Sequence, residues 1–133
     1  VLAEGVDVTP PTYSASEEGD VTDPTLAVQF SEPVNSATSD YVTGVTIKIN
    51  AVTATISSGV RQGDPSVVHY VITPFADAND AITFEYSDVV GDIADLAGNQ
   101  LGDVAPAAAD NRVGEHLRFD EISDGVHYLT QLL

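Results

Sequence analysis

The residue types that offer chemistry in this chain are acidic. Asp92, Asp95 and Asn99 place three oxygen-bearing side chains in one short stretch, Asp92-Ile93-Ala94-Asp95-Leu96-Ala97-Gly98-Asn99. Calcium gathers roughly six to eight such oxygens, so this loop is a candidate calcium site. The plainer explanation is a glycine-containing turn in which Asp and Asn side chains cap nearby backbone N–H groups. A second acidic group, Glu17, Glu18, Asp20 and Asp23, poses the same choice between a bound cation and a solvated surface. Neither group has the alternating Asp spacing and closing Glu of an EF-hand.

Hydrolytic chemistry has less to stand on. Ser31-Glu32 and the three histidines, His69, His116 and His127, supply the residue types of a nucleophile and a base. No Gly-x-Ser-x-Gly elbow, His-Glu-x-x-His helix or phosphate loop accompanies them. Cysteine is absent, which removes thiolate nucleophiles, thiolate metal sites and disulfides. Paired carboxylates are plentiful only because acids are plentiful, so no glycosidase pair stands out. The expectation is a protein that is not an enzyme. Five tyrosines, at 13, 41, 70, 86 and 128, raise the question of stacking on sugar rings. Tyr70 and Tyr86 fall on inward phases of apolar strands, which leaves Tyr41 and Tyr128 as candidate surface anchors.

The charge balance narrows the partners. Lys and Arg number 4 against 21 Asp and Glu, a formal charge of -17. Approach to nucleic-acid phosphates would meet repulsion where binding proteins gain from counterion release, so nucleic acid is excluded as an expectation. No uninterrupted apolar run approaches the roughly 18 residues of a membrane span, and membrane insertion is likewise not expected.

The elements that must position these residues show a period of two. Leu26, Val28 and Phe30 alternate with smaller or polar residues and share one face of a strand. Val45, Ile47 and Ile49 repeat the pattern, and Val52, Ala54 and Ile56 continue it beyond Asn50-Ala51, which predicts a hairpin. Val68 to Ile72 and Ile82 to Tyr86 add two more strands, bounded by Pro, Gly, Asp and Asn clusters. Many short strands and no amphipathic helix predict an all-β chain, with a sandwich favoured over a barrel by the long loops.

Four pieces in order carry a family resemblance. They are Ala27-Val28-Gln29-Phe30-Ser31-Glu32-Pro33-Val34, Gly44 to Asn50, Tyr70-Val71-Ile72-Thr73-Pro74, and Asp95-Leu96-Ala97-Gly98-Asn99-Gln100-Leu101. In these the chain resembles, over about residues 8 to 113, the bacterial Ig-like domains of repetitive surface and adhesin-type proteins, modules also found decorating phage virions. The resemblance implies an immunoglobulin-like antiparallel sandwich of about seven strands, a place outside the cell or on a virion, and no enzymatic activity. The family usually turns with Asn-Gly between its third and fourth strands. Ala51 stands in the glycine's place here, so a longer or bulged connection is expected.

Beyond the family pattern comes a distinct stretch, residues 114–133, following a domain of residues 1–113. Asp124-Gly125 predicts a turn between Leu117–Ile122 and Val126–Leu132; a helix through Phe119, Ile122, Val126 and Leu129 is the competing reading, with Gly125 against it. Leu117, Phe119, Ile122, Tyr128, Leu129 and Leu132 make this arm apolar, and exposed apolar patches mark interfaces. The arm either docks on a neighbouring copy or protein lattice, or folds back over an edge of its own sheet. The expected function is therefore a non-enzymatic structural and interaction module on an extracellular, cell or virion surface. The rival is a calcium-dependent adhesive module that binds surface glycans.

Overall fold

A computed structural model describes residues 7–19, 25–36 and 40–113. Among these residues the chain is all strand and loop. The strands are β1 (Tyr13–Glu18), β2 (Thr25–Phe30), β3 (Val34–Ser36), β4 (Val45–Ile49), β5 (Val52–Thr53), β6 (Thr55–Arg61), β7 (Val67–Thr73), β8 (Ile82–Tyr86), β9 (Ile93–Asp95), β10 (Val104–Ala108) and β11 (Asp110–Asn111). The expected sandwich is present. Seven strands have five to seven residues each, and the other four, β3, β5, β9 and β11, have two or three.

The strands divide into a five-stranded sheet in the order β11-β1-β2-β7-β6, a four-stranded sheet in the order β10-β8-β4-β5, and a β3-β9 ribbon. All pairings are antiparallel except β1 with β11, which is parallel. The alternation read from the sequence supplies the two inner faces. Leu26, Val28 and Phe30 of β2 and Val68, Tyr70 and Ile72 of β7 are buried on one side. Ile47 and Ile49 of β4 and Ile82, Phe84 and Tyr86 of β8 are buried on the other. Removing each such side chain from water contributes about 1.5–3 kcal/mol. Phe84 joins the layers: its ring lies 6.0 Å from that of Tyr70 and stacks on Tyr13 at 5.4 Å.

Three details depart from expectation. The β4–β5 hairpin turns in only two residues: Asn50 and Ala51 both adopt positive φ, 51° and 68°, as a primed turn requires. No longer connection is needed because the Asn50 side chain is clamped by Asp80 Oδ1 at 2.9 Å and by the N–H of Ala81 at 2.9 Å. Val52, expected to continue the buried phase, is 68% exposed, since it pairs with Ile49 at the open edge of the sheet. The chain then crosses between sheets at buried Ala54, so β5 and β6 belong to different layers.

The strand β1 takes in Glu17-Glu18 of the second acidic group, and β10 falls in a segment with no apolar alternation. The last strand, β11, holds only Asp110 and Asn111, and Arg112 and Val113 follow it as loop. Residues 114–133, and with them Leu117, Phe119, Ile122, Tyr128, Leu129 and Leu132, lie outside the described residues.

Candidate functional site

The chemistry-bearing residues converge at one end of the β3–β9 ribbon. In that ribbon Val34 is paired with Asp95, so the Ser31-Glu32-Pro33 loop before β3 is carried to the turn after β9. Asp95 builds that turn. Its Oδ1 accepts the N–H groups of Ala97 at 2.9 Å and Asn99 at 2.8 Å, and its Oδ2 accepts the Asn99 side-chain amide at 2.9 Å. Gly98 closes the turn at a positive φ of 96°, a backbone conformation that favours glycine, and donates its N–H to the Asp95 carbonyl at 3.1 Å. The Asn99 amide also donates to the carbonyl oxygen of Asp7 at 2.8 Å, which draws the segment before β1 into the same place.

The result is a triad of carboxylates. Asp7, Glu32 and Asp95 each offer an oxygen within 4.8 Å of the others; Asp7 is exposed, Glu32 half-buried and Asp95 only 3% exposed. Burial pushes the Glu32 carboxyl above its ordinary value, and the neighbouring charges of Asp7 and Asp95 push the same way. Burial also acts against ionised Asp95, but the hydrogen bonds from Asn99, Asp7 and Ala97 outweigh it and hold that carboxyl below its ordinary value. Two oxygens that share one calcium ion at about 2.4 Å stand no more than about 4.8 Å apart, so this spacing admits a shared cation as well as the proton-sharing hydrogen bonds that join Asp7 to Glu32 and Asp95.

Of the sequence-derived set Asp92, Asp95 and Asn99, the fold keeps Asp95 and Asn99 together and sets Asp92 apart from the triad. Asp95 is at the centre. Asn99 is present and directs its amide nitrogen at Asp95 Oδ2 and the Asp7 carbonyl, so it braces the acidic triad. Asp92 is not brought in: its Oδ1 accepts the hydroxyl of Ser36 at 3.0 Å, and Ser36 in turn is bonded to the backbone of Asp40. Asp7 and Glu32 were missed because one lies far from Asp95 in the chain and the other sat inside a motif read for its strand and turn. The Ser-Glu-Pro and Asp-Leu-Ala-Gly-Asn pieces were the available signal, since a pairing between them places Glu32 against Asp95.

The other candidates disperse. Glu17 and Glu18 point to opposite faces of β1: Glu17 is exposed and ion-paired with Arg112 at 3.1 Å, while Glu18 is buried. Alternation along a strand therefore prevents the two from sharing an ion. Asp20 and Asp23 lie outside the described residues, as do His116, His127 and Tyr128. Ser31 accepts the N–H of Thr12 at 2.9 Å, and His69 is half-buried on β7 opposite Ala27. Tyr41, expected as a surface anchor, is buried; its hydroxyl donates to Asn35 Oδ1 at 3.3 Å and its carbonyl accepts the Tyr70 hydroxyl at 2.8 Å. Tyr13, Tyr70 and Tyr86 are likewise packed inward, so none of the described tyrosines forms an open platform for a sugar ring. A second acidic pair, unforeseen, joins Asp88 and Asp103: the N–H of Asp88 donates to Asp103 Oδ1 at 2.7 Å, and carboxyl-to-carboxyl hydrogen bonding with Asp103 raises Asp88 above its ordinary value.

No protein-family model matches the chain, and no curated protein matches it in sequence. Among solved structures the chain is similar to the N-terminal part of the bacterial S-layer protein SbsC. The match has a TM-score of 0.60 at 14% identity and covers 77% of this chain and 24% of that one. At that identity the likeness concerns the fold, and it agrees with the sandwich described above. Among the described residues no helix is long and apolar enough to cross a membrane.

Proposed function

We propose that this chain is a non-enzymatic structural and interaction module of an outer surface, of the Ig-like kind its sequence resembles. The observation that carries the reading is the meeting of the two most family-like pieces: Ser31-Glu32-Pro33 and Asp95 to Asn99 close on each other through the β3–β9 pairing. A rigid, acidic sandwich of this form suits a component of a cell-surface layer or virion coat. The fold shared with part of an S-layer protein supports that setting. In this reading the apolar residues Leu117, Phe119, Ile122, Tyr128, Leu129 and Leu132 supply contact to a neighbouring copy or lattice. The acidic triad acts as a strut: a calcium ion held by Asp7, Glu32 and Asp95 would neutralise like charges and tie the segment before β1 to the ribbon.

Sedimentation velocity on the full chain and on a Phe119→Ser, Leu129→Ser variant tests the arm. Association lost in the variant is the expected result. Unchanged association with a lowered melting temperature would mean that the arm covers its own sheet. The triad also favours a second reading, a calcium-dependent adhesive module for surface glycans. A glycan array with and without calcium separates the two, because the lattice reading expects no sugar signal in either condition.

A further inference from the structure

The five-stranded sheet is electrically lopsided. Its acids are confined to β1 and β11, where Glu17, Glu18 and Asp110 lie; β2 and β7 have no Asp or Glu, and β6, on the far edge, carries Arg61 and no acid. From Tyr41 to Gly63 the sequence contains neither Asp nor Glu, in a chain whose formal charge is -17. Two copies approaching at random bring acid against acid. The β6 side is where that repulsion is absent.

The two edges also hold complementary unpaired charges. Lys48 is bridged to Glu85 at 3.8 Å and Arg112 to Glu17 at 3.1 Å. Arg61 has no carboxylate partner among the described residues; its guanidinium is steadied by one bond from Nη1 to the Val34 carbonyl at 2.7 Å. Asp110, at the opposite edge, has no basic partner among the described residues.

Backbone geometry singles out the same edge. β5 is only two residues long, and β10 carries Pro106 and a register shift, devices that blunt a sheet edge. β6 runs for seven residues. Beyond its own irregularity between Ile56 and Ser58, it pairs in regular register with β7 from Ser58 to Arg61. Its outer side there offers N–H and C=O groups to a further strand, beside an exposed Val60.

We infer that copies of this chain associate head to tail, the Ser58–Arg61 edge of one against the β11–β1 edge of the next, with Arg61 meeting Asp110. Such a contact joins two different surfaces and does not close on itself unless rotation brings it round, so it repeats from copy to copy. The inference rests on the surface-module reading and names a contact that reading leaves open.

The test is sedimentation velocity on the full chain and on Arg61→Glu and Asp110→Lys variants, each checked for native circular dichroism. Wild type should associate in a concentration-dependent way, and more weakly at high salt. Each single variant should weaken association by about tenfold or more. An equimolar mixture of the two variants should regain it, because each contact then again joins opposite charges. A mixture that stays monomeric while wild type associates would overturn the inference, as would single variants that associate like wild type. The arm variant Phe119→Ser, Leu129→Ser tells the two ideas apart. Association lost there but untouched by Arg61→Glu leaves the arm and removes the edge contact. Association lost with Arg61→Glu but kept in the arm variant does the reverse. A wild type that never associates removes both.

Discussion

At the seam between the sheets, Tyr70 and Phe84 are fully buried with ring centroids 6.0 Å apart, and the Tyr70 hydroxyl is satisfied by the Tyr41 carbonyl at 2.8 Å. At the end of the β3–β9 ribbon, Asp7, Glu32 and Asp95 bring acid oxygens within 4.8 Å of one another, and Glu32 is held above its ordinary pKa by burial and by its two neighbours. The seam gains free energy from every contact it makes. The acidic end stores repulsion that protonation or a cation releases. The difference teaches where to look for function: the seam makes the body rigid, and the acidic end makes it responsive to its surroundings.

The largest expected effect breaks the seam. Phe84→Ala removes the ring that bridges Tyr13 and Tyr70, and should cost about 3–5 kcal/mol in urea denaturation. The acidic end should respond oppositely to added chemistry. Calcium at about a hundred times its Kd should add about 2.7 kcal/mol to stability, read as a rise in melting temperature that is absent in Glu32→Gln. A rise equal in wild type and variant would assign the ion elsewhere.

The same end has a pH signature without calcium. Glu32 has a raised folded pKa, so its ionisation opposes folding: its penalty grows as pH rises from the ordinary carboxylate range through the raised value, and fades on acidification. Asp95 has a depressed folded pKa, so its contribution is full above the ordinary range and is lost only as pH falls through the lowered value. Mild acidification should therefore stabilise wild type more than Glu32→Gln, and strong acidification should destabilise both. A melting temperature that falls steadily from neutral pH in both proteins would contradict the assignment.

The smallest effect sharpens the comparison from outside both regions. Ala51 holds a positive φ of 68° in the β4–β5 turn, a conformation that glycine adopts without strain. Ala51→Gly should stabilise by about 0.5–1 kcal/mol, after the extra unfolded-state entropy of glycine is subtracted. The change should leave any calcium response untouched, because the turn shares no residue with the triad.

Much of the fold was legible in the chain. Leu26, Val28 and Phe30, and again Val68, Tyr70 and Ile72, alternate because one side of a strand meets a facing layer, and a period of two is a local property. β1 was less legible because the residues it buries late are Ser16 and Glu18, which carry no apolar signature. β10 hid for a related reason: an edge strand of Val, Ala and Pro buries little and needs no alternation. Of the candidate site, Asp95 and the Asx-capped turn to Asn99 could be read directly, since the spacing of Asp, Gly and Asn is itself the turn's chemistry.

What the sequence determined by itself, then, was the class of fold, the inner faces of the main strands, the strongly acidic charge balance, and the turn around Asp95. What only the tertiary structure decided was company: that Glu32 and Asp7 join Asp95 while Asp92 turns to Ser36, and that Arg61 and Asp110 fall on opposite edges of one sheet. The reason is range. Alternation and turn chemistry act between residues a few positions apart, whereas a carboxylate's neighbours are chosen by strand pairings that join distant parts of the chain.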